Sequence, residues 1–158
     1  MRVGTGYDAH RLKPGRALII GGVQIEHPAG LDGHSDADVL THAVIDALFG
    51  AAGLGDIGRH FPAGDPQYEG ASSQDLLSRA VHTIRDAGYR VVNVDSTVIA
   101  EEPRLQPHLG AMRDQLAKTI GVAPDAVSVK ATSPEGLGAL GRKAGIAAQA
   151  VALIESTG

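Results

Sequence analysis

The segment Ile146-Ala-Ala-Gln-Ala-Val-Ala-Leu-Ile154 constrains the fold more than any other part of the chain. It is far shorter than a membrane span, yet apolar on both alternating faces apart from Gln149, as in a strand covered on both sides. Only three other segments carry helical apolar spacing, enough to cover one face of a sheet. The other face is therefore expected to meet partner subunits. A length of 158 residues suits one domain over residues 1–158, and no repeat or linker divides it.

Val39, Leu40, Ala43, Ile45, Ala47 and Leu48 form the first helical stretch, with Ser35 as the expected cap, Asp38 three residues on, and an end at Gly50 or Gly53. Leu76, Leu77, Ala80, Val81 and Ile84 form the second, behind Ser72 or Ser73 and ending near Gly88. Leu109, Met112, Leu116 and Ile120 form the third, up to Gly121. Strands are expected over residues 2–6, 90–100, 127–132 and 145–155, the second with Val92, Val94, Ser96 and Val98 on its apolar face. Residues 18–25 read as a small hairpin around Gly21-Gly22. Residues 54–70 lack periodicity and read as a functional or mobile loop. The expected class is α+β: a four-stranded sheet in ferredoxin-like order, helices on one face, and the hairpin beside it.

Composition narrows the chemistry. With no cysteine, disulfides, thiolate metal sites and cysteine nucleophiles are excluded, so any metal must use nitrogen and oxygen. A net charge of −4 without a lysine or arginine run, and 3% aromatic residues, argue against nucleic acid and against an anionic membrane. The start Met-Arg-Val-Gly-Thr-Gly-Tyr lacks the apolar core of a signal peptide, and a cytoplasmic, bacterial protein is expected.

Asp8 and His10 are i, i+2, hence on one side of an extended backbone, where both can grip one divalent ion; ordinary turn and surface roles are the alternative. Asp38 and His42 share a helix face, making His42 a fair third ligand with Asp38 orienting it, or else a core-edge histidine beside a capping carboxylate. Spacing leaves the two readings open. His34 and Ser35 precede that helix, where phosphate or a plain cap fits equally. Residues 131–142 form a glycine-rich loop with Thr132, Ser133, Glu135 and Arg142, able to wrap phosphates while Glu135 holds Mg²⁺, but without the Walker spacing. His27, His60, His82 and His108 read as structural or surface residues.

Together, Gly4-Thr-Gly-Tyr-Asp8-Ala-His10-Arg, His34-Ser-Asp-Ala-Asp38 with His42, Gly55-Asp-Ile-Gly58 before Phe61-Pro, residues 103–108, and Lys130-Ala-Thr-Ser-Pro-Glu135 with Gly-Arg142 closely resemble the 2-C-methyl-D-erythritol 2,4-cyclodiphosphate synthase family over essentially the whole chain. The resemblance implies a homotrimer with sheets facing inward and active sites between subunits. It implies a divalent metal, usually zinc, on Asp8, His10 and His42, and Mg²⁺ or Mn²⁺ on Glu135 with the diphosphate of a cytidine substrate. His34 and Ser133 take catalytic contacts to phosphate, with Ser35 nearby. Asp56, Ile57, Gly58, Phe61 and Asp65 are implied for the methylerythritol part. Ala100, Pro103, Arg104, Leu105, Gln106, Ala131 and Thr132 are implied for the cytidine, and Arg142 near the trimer axis. Ala63, Ala139 and Ala144 depart from the family's usual Asp, Phe and acidic residue. Two further readings fit the same residues: a zinc phosphohydrolase using water, and a binding module with zinc as structural glue.

Overall fold

The computed structural model describes residues 1–158. Its main sheet runs β4-β1-β7-β5-β6, built from β1 (Arg2–Pro14), β4 (Ala29–Leu31), β5 (Tyr89–Ile99), β6 (Val127–Thr132) and β7 (Gly145–Ser156). β2 (Leu18–Ile20) and β3 (Val23–Ile25) form the separate hairpin anticipated around Gly21-Gly22. The helices are α1 (Val39–Ala52), the short α2 (Ile57–His60), α3 (Ser73–Asp86), α4 (Leu109–Ile120) and the short α5 (Gly138–Gly141). None is long and apolar enough to cross a membrane.

The sheet has five strands where four were expected, because Ala29–Leu31 adds an edge against the end of β1. Three residues with a glycine at their centre leave too little periodicity to read. The ferredoxin-like order is also not what the pairings give. The C-terminal strand sits in the middle, antiparallel to both β1 and β5, while β5 and β6 pair in parallel across α4.

β1 meets α1 closely because two of its residues lack side chains. A Cβ at Gly4 would lie 2.1 Å from the Ala47 carbonyl oxygen, and one at Gly6 would lie 1.9 Å from that of Ala43. The even-numbered residues of β1 thus face α1, and the same alternation turns Asp8 and His10 toward its N-terminus. β1 runs well past residue 6, which is what gives both residues that extended backbone.

On β7 the residues Ile146, Ala148, Ala150, Ala152 and Ile154 are buried beneath the helices. The opposite face is open in the single chain and carries Val3, Tyr7 and Val151, exposed by 66%, 61% and 38%. In β5 a bulge between Val91 and Asn93 shifts the alternation, so Val91 rather than Val92 packs on the core, while Val94, Ser96 and Val98 keep their expected side.

α1 starts later than expected. Asp38, not Ser35, is its cap, accepting the Thr41 N–H at 3.0 Å, and the helix ends at Gly53 in the left-handed conformation. α3 begins after Ser72, whose side chain makes no capping bond. The 54–70 stretch is ordered into α2 and a 3₁₀ turn at Pro66–Tyr68.

Candidate active site

Asp8, His10 and His42 converge, with donor atoms all within 4.8 Å of one another. Asp8 Oδ2 lies 2.8 Å from His10 Nε2 and 3.1 Å from His42 Nδ1, and the two imidazole nitrogens are 3.3 Å apart. The outer nitrogens are held from behind. His10 Nδ1 lies 2.9 Å from the Asp32 carbonyl oxygen, and His42 Nε2 lies 2.8 Å from Ser73 Oγ and 3.2 Å from Ser35 Oγ. Ser73 Oγ in turn donates to Asp36, whose other carboxylate oxygen accepts the Ser73 N–H at 2.9 Å. Outer partners of this kind fix tautomer and ring orientation in metal sites, leaving the inner lone pairs free to coordinate. The donor set of two imidazoles and one carboxylate therefore fits a borderline divalent ion.

Burial opposes the charge on Asp8, but hydrogen bonds and positive charge from His10 and His42 outweigh it and hold the carboxyl down at about 2. Burial likewise works against a charged His10, and the Asp8 carboxylate outweighs it, raising the imidazole above its ordinary value. Asp38 does not orient His42. Fully buried, its carboxylate takes the N–H groups of Gly21 at 2.8 Å and Gly22 at 2.7 Å, plus Thr41 Oγ1 at 2.7 Å, tying the hairpin turn to α1.

The triad opens into a cavity of about 200 Å³ that is also lined by His34, Ser35, Ile57, Gly58 and Phe61, and by Ala63, Tyr68 and Leu76. His34 Nε2 lies 2.8 Å from the Asp65 carbonyl oxygen. Asp65 thus reaches the site through its backbone; its carboxylate turns to Gln67, which holds it below its ordinary value. Asp56 caps α2 through the Arg59 N–H at 2.9 Å and does not line the cavity.

A second cavity of about 400 Å³ gathers Ala100, Pro103, Arg104, Leu105, Gln106, Ala131, Thr132 and Ser133. Glu101, within the 100–106 segment, lines it too. Its carboxylate accepts the Ser133 hydroxyl at 3.0 Å and the Gly136 N–H at 3.3 Å, while Ser133 Oγ accepts the Glu135 N–H at 3.0 Å. Glu135 and Arg142 are exposed, and neither lines a cavity. The two cavities share no residue. They lie at one end of the sheet, since Ala9 pairs with Ala147, Ala147 with Ile99 and Ile99 with Thr132. Three strand spacings, about 14 Å, separate β1 from β6.

The residues missed by sequence reasoning work indirectly. Asp32 acts through a carbonyl that any residue supplies, whereas Ser73 and Asp36, which looked like capping groups, hold the outer side of His42.

The YgbB family model matches residues 1–155. The 2-C-methyl-D-erythritol 2,4-cyclodiphosphate synthase of Synechococcus elongatus is 58% identical over 153 residues, covering 97% of this chain and 96% of that protein. The synthase of Laribacter hongkongensis is 59% identical over 156 residues, covering 99% and 96%. A solved 2C-methyl-D-erythritol-2,4-cyclodiphosphate synthase in its CDP-bound form superimposes with a TM-score of 0.89 at 35% identity, covering 98% of this chain and all of that one. The bifunctional IspDF of Campylobacter jejuni gives 0.95 at 39% identity, over 98% of this chain and 42% of that longer one. The chain belongs to the YgbB family of 2-C-methyl-D-erythritol 2,4-cyclodiphosphate synthases.

Proposed function

We propose that this chain converts 4-diphosphocytidyl-2-C-methyl-D-erythritol 2-phosphate into 2-C-methyl-D-erythritol 2,4-cyclodiphosphate and CMP, in non-mevalonate isoprenoid precursor synthesis. The observation that carries the reading is the preset triad of Asp8, His10 and His42 at the mouth of a cavity holding His34 and Ser35, in a chain similar to such synthases from end to end. An oxygen of the substrate's 2-phosphate bonds to the β-phosphorus, and the bond from that phosphorus to the oxygen of CMP breaks. The nucleophile belongs to the substrate, in keeping with a pocket that needs no activated serine or cysteine. Positioning and charge neutralisation remain as the protein's tasks.

Asp8, His10 and His42 would hold one divalent ion, zinc by donor type, and Glu135 a Mg²⁺ or Mn²⁺ arriving with the diphosphate. Such ions polarise phosphoryl oxygens and neutralise developing charge. His34, braced by the Asp65 carbonyl, contacts phosphate together with Ser35, and Ser133 does so from the second cavity. Ile57, Gly58 and Phe61, with Asp56 and Asp65 beside them, hold the methylerythritol part. Residues 100–106 with Ala131 and Thr132 hold the cytidine, and Arg142 lies toward the axis of the assembly.

The assembly is a homotrimer in which the open sheet faces, with Val3, Tyr7 and Val151, turn inward. An exposed apolar face of that kind supports association. The triad cavity of one copy then works with the cytidine cavity of its neighbour, and the enzyme is cytoplasmic. ³¹P NMR of the purified protein with zinc, magnesium and the substrate tests the reaction. Simultaneous appearance of CMP and the coupled resonances of a cyclic diphosphate is expected. An open-chain phosphate product indicates a hydrolase, and an intact substrate a binding module.

A further inference from the structure

α1 carries a single aspartate or other formally charged side chain, Asp46, in a helix that is otherwise largely buried. A carboxylate in such a place is stable only with a hydrogen-bond partner. Its Oδ1 accepts the Ile57 N–H at 2.7 Å. That N–H is the first of α2, a helix of four residues that cannot persist alone and whose leading donors have no partner within it. At the other end of α2, His60 stacks on Phe49 with ring centroids 4.0 Å apart and planes 19° from parallel. His42, Asp46 and Phe49 follow one another at i, i+4 and i+7, hence on one face of α1. In order, that stripe supplies a triad nitrogen, the anchor for the start of α2 and the anchor for its end. Ile57, Gly58 and Phe61 line the triad cavity.

We infer that Asp46 is a positioning residue, which through the Ile57 N–H fixes the 57–61 segment against the Asp8/His10/His42 triad and so sets how the polyol end of the substrate is held. This deepens the proposed function and rests on it. The anchor needs one acceptor oxygen, which an asparagine retains. Burial pushes the Asp46 carboxyl above its ordinary value, the Ile57 N–H works against that, and the charges of Asp56 and Asp8 add to the rise.

The test compares the metal-loaded parent with Asp46→Ala and Asp46→Asn, following KM, kcat, metal bound per chain and amide exchange at Ile57. Asp46→Ala is expected to raise KM about tenfold with kcat much less affected, because a loosened segment misplaces the substrate. Its metal content stays at the parent value and Ile57 exchanges faster. Asp46→Asn is expected to restore KM to within about threefold of the parent, the N–H bond being kept. The inference falls if Asp46→Ala leaves KM unchanged, if it loses metal in step with activity, or if Asp46→Asn is as impaired as Asp46→Ala. Should Asp46→Ala not fold, Asp46→Asn decides alone: parent-like KM and Ile57 exchange support the anchor, and a raised KM overturns it. A parent protein that does not turn over the substrate sinks the functional reading, whereas Ile57 exchange still reports on the anchor.

Discussion

The two cavities are built in opposite ways. Around Asp8, His10 and His42 the ligating side chains are braced: both outer imidazole nitrogens have partners, Asp36 holds Ser73, and His42 is only 9% exposed. Around residues 131–136 all the side chains but that of Pro134 are exposed, and the polar contacts run through a loop, from Glu101 to Ser133 and Gly136. The first cavity is held by a strand and a helix pressed together through Gly4 and Gly6. The second is held by the ends of β5 and β6 and the turns that follow them. Under the proposed function, preorganisation is concentrated where charge would be focused on phosphate, and adaptability where a nucleotide would enter and leave.

The sharpest way to break this contrast is to remove a proposed metal ligand from the rigid half. His42→Ala is expected to abolish metal binding and to lower turnover by about a thousandfold or more, since metal charge neutralisation supplies several kcal/mol. Circular dichroism and oligomer mass should remain those of the parent, because the core around α1 does not depend on the imidazole. A variant that instead loses its oligomeric state favours zinc as structural glue.

The glycines sharpen the contrast further. At Gly6 a Cβ would sit 1.9 Å from a backbone oxygen, whereas at Gly136 it would meet nothing within 4 Å, only the strain of φ +73°. Gly6→Ala is therefore expected to destabilise by about 3 kcal/mol or more, by forcing α1 off β1. Gly136→Ala should destabilise by only about 1–2 kcal/mol, the left-handed penalty for an L residue. Denaturant midpoints measure both; equal losses would mean the two halves are equally rigid.

Ser133 probes the adaptable half. Its hydroxyl already donates to Glu101, so a phosphate contact needs that bond to be exchanged. Ser133→Ala is expected to lower kcat/KM by about tenfold to a hundredfold, less than any triad substitution, without altering bound metal.

Much of this was legible in the sequence, and the boundaries of legibility are physical. The alternation that put Asp8 and His10 on one side is a local rule that survives tertiary packing, whereas the spacing of Asp38 and His42 left the role of His42 open, and only the resemblance joined it to the other two. The Ser35 cap failed because Ala37 takes a positive φ of 56°, which delays the helix to Asp38. Val92 lost its place to a bulge, and Ala29–Leu31 gave no pattern because an edge strand of three residues has none. The carboxylate of Asp65 faces Gln67 while its carbonyl braces His34, and that bracing could not be read, since backbone contacts leave no signature in residue type.

pH offers a further contrast, because the titrating pair belongs to the rigid half alone. In the metal-free protein Asp8 is lowered from 3.8 to about 2, so its contribution to stability is present above 3.8 and lost as pH falls toward about 2. His10 is raised above 6.5, so its contribution is present below 6.5 and lost as pH rises through the raised value. The metal-free protein should accordingly gain most from this pair between about pH 4 and 6.5. Metal binding needs His10 deprotonated, so the rise in Tm on adding zinc should grow as pH is raised through the His10 titration. Melting curves with and without zinc across that range check this, and a rise independent of pH would mean His10 is not a ligand.

The smallest expected effect falls on Asp65, and it separates side-chain from backbone function within one residue. Its carboxylate is exposed and bonded to Gln67, while its carbonyl braces His34 at 2.8 Å. Asp65→Asn keeps an acceptor for the Gln67 N–H and leaves the carbonyl in place, so kcat/KM should fall by no more than about threefold, the scale of a surface hydrogen bond. If the carboxylate instead reaches the methylerythritol hydroxyls when substrate is bound, KM rises by about tenfold or more, as when a charged partner is lost. That outcome would move residue 65 from the bracing of His34 into direct contact with substrate. It would also show that the 65–67 turn reorganises on binding, giving the rigid half of the site some of the adaptability assigned here to the other.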